Sequence, residues 1–293
     1  MVTIEKSERL KILKTYKLYI GGEFPRTESG RYFSLKDADG NQIANVCSGS
    51  RKDFRNAMVV ARTAFGKWSK RTAYNRSQIV YRIAEMLEAR KNQFTDELTI
   101  QGVDKVKAER EVHEAIDLLI YYAGWADKYQ QLFSSVNPVA ASYFNFSLPE
   151  PTGVVSIIAP EENSLLGLVA MIAPVITGGN ACVILASESK PLCAVTFGEV
   201  LNSSDVPGGV VNILTGSRKE LLPQFSTHMD VNAVFYGAGI PEELKEIQMN
   251  AALNVKRVAD SNVMHSGTGK EMQDPYLIMN FQETKTIWHP IGI

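Results

Sequence analysis

The sequence lacks an excess of charge of either sign. Its 293 residues include 31 lysines and arginines against 32 aspartates and glutamates, which gives a net charge of −1 at pH 7. Affinity for a nucleic-acid backbone depends on a surplus of cationic side chains. We therefore expect no nucleic-acid partner.

Long hydrophobic runs are also missing. The longest extends over residues 165–176 and contains Pro174, whereas a helix that spans a bilayer needs about 20 apolar residues. The N-terminus carries charges where a signal peptide would have its apolar core. These absences predict no membrane partner and a cytoplasmic location.

Cysteine and histidine are scarce. Three cysteines without paired spacing favour a reducing compartment over a disulfide scaffold; they are Cys47, Cys182 and Cys193. A nucleophilic cysteine needs a base and an oxyanion site nearby, so we interpret Cys182 and Cys193 as core residues. The histidines lack metal-ligand spacing and predict no zinc site; they are His113, His228, His265 and His289.

The first part of the chain has signals for short strands followed by helices. Residues 18–20 run into Gly21-Gly22, which predicts a hairpin. Ser50 and Asp53 have the spacing of a capping box and predict the start of a helix. Apolar residues at helical spacing predict two more helices, the second of them over residues 107–130.

From residue 137 the pattern changes. Residues 141–148 alternate in polarity as a β-ribbon does, and residues 284–293 resemble one more strand. Between them, short apolar strands alternate with helical stretches, which indicates an open, doubly wound α/β domain with a parallel sheet covered on both faces. The predicted strands are Val154–Ala159, Cys182–Ala186, Val210–Leu214, Ala233–Tyr236 and Val255–Val258.

Ligands of such sheets lie at the carboxyl ends of the strands. Glu161 and Glu162, after the first strand, could act as a general acid or base, but capping of the next helix is the favoured interpretation. Glu188, after the second strand, could hold a ribose hydroxyl or cap a helix. Residues 235–239 after the fourth strand form either a phosphate-binding turn or a plain one.

Several motifs, in this order, resemble the aldehyde dehydrogenase family. They are residues 18–24 (LYIGGEF), 61–68 (ARTAFGKW), 121–126 (YYAGWA), 151–160 (PTGVVSIIAP), 178–180 (GGN) and 207–212 (PGGVVN). The resemblance implies a Rossmann-like NAD-binding domain at 153–260, with residues 1–136 packing on it. It also implies that NAD(P) is a possible cofactor. The remnant of its cleft would be Ile158, Pro160, Glu188, Gly216, Phe235 and Gly237.

Four departures from the family pattern concern chemistry. Glu161 and Glu162 stand where the family has Trp and the Asn that stabilises the oxyanion, a loss typically worth ~10²–10³ in rate. Leu185 replaces the lysine that contacts the adenosine ribose, and Ala238 replaces a serine of the cofactor loop. Residues 259–263 (ADSNV) replace the motif with the general base, which costs a further ~10²–10⁴.

The chain then skips the domain that carries the family's nucleophilic cysteine. Residues 261–279 are expected to form a linker in its place. Residues 283–288 (ETKTIW) resemble the family's last strand, which exchanges between subunits. Residues 137–152 and 280–293 are therefore expected to form an oligomerisation arm. The degraded loop and the ending Lys285–Pro290 are most similar to the degenerate second module of the sixteenth aldehyde dehydrogenase family.

These features predict a pseudoenzyme that assembles or regulates. It would form a homo-oligomer, such as a dimer, or bind a catalytically complete aldehyde dehydrogenase. The alternative is a module that still binds NAD(P), for which the fold alone would justify the name of an NAD-dependent aldehyde dehydrogenase. A relocated active site with Glu161, Glu162 and Cys193 is a third, weaker hypothesis. Met1 and the family-like ending at Ile293 lead us to expect a complete unit.

Overall fold

The computed structural model describes residues 12–261, 264 and 267–292. The predictions made for residues 1–11, for Asn262, Val263 and His265, and for Ile293 lie outside the described residues. Among those that are described, no helix combines the length and apolar composition needed to cross a membrane. Likewise, no group of three or more His, Cys, Asp or Glu in the described part of the chain could hold a metal ion.

A small sheet and five helices make up the described part of the chain before residue 135. The strands are β1 (Thr15–Tyr16), β2 (Tyr32–Lys36) and β3 (Gln42–Cys47), and β3 lies between the other two. The helices are α1 (Arg51–Trp68), α2 (Ala73–Ala89), α3 (Lys91–Ile100), α4 (Lys105–Trp125) and α5 (Tyr129–Phe133).

Two of the local predictions for this part are confirmed and one is wrong. The capping box is confirmed, because the Ser50 side chain accepts from the Asp53 N–H and Asp53 accepts in return from the Ser50 N–H. The hairpin is confirmed by a bridge between Ile20 and Glu23. The single helix over 107–130 is wrong: α4 ends at Trp125 and the short α5 follows. Helix α3 was not predicted.

Residues 153–260 form the doubly wound α/β domain that the sequence predicts. Its sheet has the order β10-β9-β6-β7-β8, and every strand pair is parallel. The strands are β6 (Val154–Ile158), β7 (Ala181–Leu185), β8 (Val211–Leu214), β9 (Ala233–Tyr236) and β10 (Arg257–Asp260). The helices are α6 (Leu166–Thr177), α7 (Leu192–Asn202), α8 (Arg218–Thr227) and α9 (Pro241–Ala252).

Both faces of this sheet are buried because successive side chains point to opposite sides. One face of the sheet packs against α2, α4, α6 and α7 and contributes Ile157, Ile184 and Ile213 to the core there. The other face packs against α1, α8 and α9 and contributes Val154, Val183 and Val234. The start of β10 was predicted wrongly. Val255 lies in an exposed turn with φ +55°, so the strand begins two residues later, at Arg257.

Three antiparallel strands project from this domain and are called the ribbon below. They are β4 (Ser135–Asn137), β5 (Tyr143–Pro151) and β11 (Gln282–Pro290), with β5 in the centre. β11 pairs with β5 from Gln282 opposite Pro151 to Pro290 opposite Tyr143. The Arg257 guanidinium of β10 donates to the carbonyls of Asn280 and Gln282 and pairs with Glu283, which ties the base of the ribbon to the edge of the five-stranded sheet.

The stretch between β10 and β11 is short and well packed. In its described part, Met264, Met272 and Ile278 are fully buried, the last of these in helix α10 (Tyr276–Met279). The Tyr122 hydroxyl of α4 donates to the Met272 carbonyl at 2.9 Å. Residues 261–279, expected as a linker, therefore contribute Met264, Met272 and Ile278 to the core.

Candidate functional site

The candidate site is the edge of the five-stranded sheet where its parallel strands end. The loops after β6, β7 and β8 and the start of α9 after β9 meet here. Open α/β sheets bind ligands at this edge, with phosphates near the first strand-to-helix loop and a ribose near the end of the second strand. The predicted residues Glu161 and Glu188 lie in those two loops.

The Glu161 carboxylate is surrounded by donors from the chain itself. It accepts hydrogen bonds from the backbone N–H groups of Glu188 and Ser189, both at 3.0 Å. The hydroxyls of Ser187 and Ser189 donate to it at 2.7 and 2.6 Å. Arg218 adds a salt bridge at 2.7 Å. Glu161 therefore joins the first loop to the second and to the start of α8.

Arg218 extends this network to the remaining loop. Its Nε lies 3.6 Å from Oε1 of Glu243 in α9, and Glu243 accepts in turn from the Tyr236 hydroxyl at 2.7 Å. The backbone N–H of Arg218 donates to the Glu188 carboxylate at 2.8 Å. Glu188, proposed as a ribose ligand or a helix cap, thus holds the first residue of α8.

Burial and hydrogen bonding act in opposite directions on these groups. Burial tends to raise the pKa of Glu161, but the bonds from Ser189 and Ser187 prevail and lower it below the ordinary value of 4.5. Burial and the bond to Glu243 raise the pKa of Tyr236. At neutral pH the network therefore consists of an ionised Glu161 and a neutral Tyr236.

The interpretation of Glu161 and Glu162 as caps of α6 is wrong. The N–H groups of Leu165 and Leu166 donate instead to Glu111 of α4, at 2.8 and 3.2 Å. Glu161 is drawn toward β7 by its serine and arginine partners, and Glu162 is exposed and pairs with Lys190 at 3.2 Å. A carboxylate from a distant helix thus occupies the start of α6.

The other residues assigned to the remnant cleft serve close packing. Phe235 is fully buried with its ring 5.0 Å from that of Phe281. Gly237 donates its N–H to the Ile158 carbonyl, and a Cβ there would lie 2.7 Å from the Met171 sulfur. The structure places the remaining three as follows: Ile158 is buried in the core shared with α1, α8 and α9, a Cβ on Gly216 would lie 3.1 Å from the Gly49 nitrogen, and Pro160 is buried against Gly167.

All three cysteines lie in the described part of the chain, and all are free and buried. Burial raises the pKa of Cys182, and burial followed by the nearby Glu97 raises that of Cys193. The Cys193 thiol donates weakly to the Phe94 carbonyl at 3.7 Å. A thiol needs a lowered pKa and access to act as a nucleophile, so neither has the surroundings of one.

Sequence reasoning missed Arg218, Glu111 and Glu243. Arg218 carries a weak signal, since it opens the helix after β8 and so lies beside the sheet edge. Glu111 and Glu243 lie within helices among other charged residues, and nothing in the local sequence distinguishes them.

Comparison with known proteins assigns the family. A model of the aldehyde dehydrogenase family matches residues 24–260. The chain belongs to the aldehyde dehydrogenase family. Its solved relatives include an aldehyde dehydrogenase from Bacillus cereus in an NAD⁺ complex, with a TM-score of 0.80 and 25% identity over 84% of this chain. A betaine aldehyde dehydrogenase from Staphylococcus aureus, also with NAD⁺, gives a TM-score of 0.80 and 28% identity.

Among curated relatives, the chain is 32% identical to mouse cytosolic 10-formyltetrahydrofolate dehydrogenase. The match covers 87% of this chain and 29% of the mouse protein. The chain is 29% identical to the putative aldehyde dehydrogenase DhaS of Bacillus subtilis, covering 52% of that protein. The solved relatives are covered to 50 and 49%. The chain thus spans about half of these aldehyde dehydrogenases or less, and it passes from β10 to β11 without a catalytic domain between them.

The carboxyl edge does not fit the dinucleotide that this family implies. Glu161 lies against the donors of the second loop, Glu188 is used by α8, and Met171 fills the space at Gly237. The positive groups at the edge, Arg218 and Lys190, are both paired with carboxylates. No step of a hydride transfer can therefore be assigned to these residues.

Proposed function

We propose that this chain is a pseudoenzyme of the aldehyde dehydrogenase family that acts as an assembly or regulatory subunit. The ribbon is the observation that carries the proposal. Its surface presents large apolar side chains to solvent, and its outer strands have unpaired edges in the described chain. We also propose that the chain is similar to the degenerate second module of the sixteenth aldehyde dehydrogenase family.

The exposed side chains of the ribbon favour a protein partner. Trp288 is 57% exposed and Val136 68%. Tyr143 and Phe144 are also exposed, and the Tyr143 ring lies 5.9 Å from Trp288 in an edge-on arrangement. The register puts Tyr143 and Trp288 on one face of the ribbon and Phe144 and Val136 on the other, so both faces present exposed apolar groups. Exposed apolar groups that cluster are characteristic of interaction sites, and aromatic side chains contribute much of the binding energy at interfaces.

The geometry of β11 favours partnering through its backbone. This strand lies at one edge of the three-stranded sheet, pairs along its whole length with β5, and has mostly exposed side chains. An exposed edge strand is a template for another strand. A second copy of this chain or a complete aldehyde dehydrogenase could supply that strand.

The chemistry of the chain supports an inactive subunit. The three thiols are buried, and an oxyanion would meet the acidic side chains of Glu161 and Glu162. We expect no aldehyde dehydrogenase activity from the isolated chain. We also propose a cytoplasmic location, because the cysteines are free and one relative is named as cytosolic.

The proposal is tested by molar mass in solution. Multi-angle light scattering after size exclusion is expected to give a dimer or larger species, and Trp288→Lys is expected to shift it toward the monomer. Leu253→Lys is the matched control, because Leu253 is an exposed apolar residue at the end of α9. The second arm mixes the chain with a complete aldehyde dehydrogenase from the same organism and looks for co-elution and altered specific activity. A monomer that captures no such enzyme would contradict the proposal.

A further inference from the structure

We propose that residues 187–189 and Arg218 form an anion-binding pocket whose resident occupant is the carboxylate of Glu161. This internal anion keeps small oxyanions, including the phosphates of a dinucleotide, out of the pocket. The proposal is independent of the assembly proposed above, since molar mass and anion response are separate measurements.

The donors of the pocket suit an oxyanion in type and arrangement. Two consecutive backbone N–H groups, of Glu188 and Ser189, converge on the same carboxylate, as in the backbone concavities that bind anions. The hydroxyls of Ser187 and Ser189 and the Arg218 guanidinium complete the set. Charge-assisted bonds of this kind are about twice as strong as neutral ones.

Arg218 also carries a donor that Glu161 leaves unused. Its Nη1 is buried and has no hydrogen-bond partner among the protein groups, and its side chain is only 13% exposed. Buried donors are normally satisfied. The Glu161 carboxylate accepts a hydrogen bond from Nη2 of Arg218 but not from Nη1. A larger oxyanion has a further oxygen that could accept from Nη1. The pocket therefore offers one more donor than Glu161 uses, and this donor suits a larger oxyanion.

The surroundings explain why a second anion is excluded while Glu161 is in place. Three more carboxylates lie around the pocket, those of Glu162, Glu188 and Glu243, and each already has a partner at Lys190, the α8 backbone or Arg218. A further anion would face this negative charge, while Arg218 and Lys190 are already paired with carboxylates. Like charges disfavour each other strongly in a partly desolvated site.

The test replaces the internal anion by an external one. Glu161→Ala removes the same heavy atoms that an acetate ion contains, so acetate is the probe and neutral acetamide the control, at constant ionic strength to separate screening from binding. Inorganic phosphate is the second oxyanion. The readout is the midpoint of thermal unfolding, because a ligand that binds only the folded state raises it.

We expect acetate and phosphate to raise the midpoint of Glu161→Ala saturably, with half-saturation at a concentration at least about tenfold lower than for the wild-type chain. Acetamide should have no effect, and adding Arg218→Gln should remove the response. If Glu161→Ala does not fold, its refolding yield in acetate against acetamide gives the same comparison. Equal responses of wild type and variant would overturn the proposal. Saturable binding of phosphate or NAD to the wild-type chain that Arg218→Gln abolishes would also overturn it.

Discussion

Charged side chains at the carboxyl edge of the five-stranded sheet find their partners within the chain, whereas apolar side chains of the ribbon face solvent. At the sheet edge, Glu161 and Arg218 are largely buried against each other and against the neighbouring loops. On the ribbon, Trp288 and Phe144 are exposed. The region that binds ligands in α/β folds thus pairs its carboxylates within the chain, although Nη1 of Arg218 has no partner there, and the region expected to assemble is left open.

This difference concerns what a cofactor cleft requires. A cleft that binds a cofactor must leave donors and acceptors free for the ligand, which costs stability while the cleft is empty. Here the loops bind one another instead. The hydrogen bonds and the salt bridge among Glu161, Glu188 and Arg218 stabilise the domain at this edge.

The largest effect is expected where the ribbon joins the α/β domain. Phe281 is fully buried against Phe235, and its carbonyl accepts from Thr152 and from the Asn180 side chain. Phe281→Ala should lower the free energy of unfolding by about 3–5 kcal/mol. Phe144→Ala, on the exposed face of the ribbon, is the control, and urea denaturation measures both. Equal losses would mean that the ribbon is as closely packed as the core.

A second effect compares two salt bridges of equal length. Arg218 to Glu161 and Arg31 to Glu220 both measure 2.7 Å, but the first pair is 13 and 22% exposed and the second 48 and 46%. Arg218→Gln should cost about 1–3 kcal/mol, because it leaves a partly buried carboxylate without its cation. Arg31→Gln should cost about 0–1 kcal/mol. Chemical denaturation of the two variants in parallel tests the order, and the reverse order would refute it.

A third effect concerns pH. The folded pKa of Glu161 lies below its ordinary value of 4.5, so its contribution to stability is present above that value and is lost as the pH falls through the folded pKa. The difference in unfolding free energy between wild type and Glu161→Gln should therefore shrink below about pH 4.5. Denaturation curves at several pH values measure it. A difference that stays constant into acid would show that Glu161 titrates alike in the folded and unfolded chains.

The smallest change in stability is expected on the ribbon. Trp288 is mostly exposed and touches Tyr143 edge-on, so Trp288→Lys should change the free energy of unfolding by no more than about 1 kcal/mol. The same variant is expected to lower the molar mass in solution. A loss of several kcal/mol measured in the monomer would show that Trp288 supports the fold itself.

Much of the fold could be predicted because its signals are local. The strands β6, β7, β8 and β9 are wholly buried and mostly apolar, and a run of this kind between helical stretches has few other interpretations. The alternation of residues 141–148 likewise indicated the ribbon. Helix α3 was not predicted because it is short and only Arg90 separates it from α2. The start of β10 was misplaced because Val255, a typical strand residue, adopts a left-handed turn.

The site was less predictable because its contacts are long-range. Glu161 and Arg218 are 57 residues apart in the chain, and Glu111 meets Leu165 over 54 residues. The sequence indicated acidic residues at the right edge of the sheet, but not which partners they would choose. That choice depends on loops converging from different strands, which no local pattern encodes.

The guanidinium of Arg257 has a mechanical consequence. It holds the carbonyls of Asn280 and Gln282 and the carboxylate of Glu283 on the edge strand β10. Force applied to the ribbon would therefore pass through these contacts into the five-stranded sheet. A partner bound to the ribbon would therefore displace the α/β domain together with it.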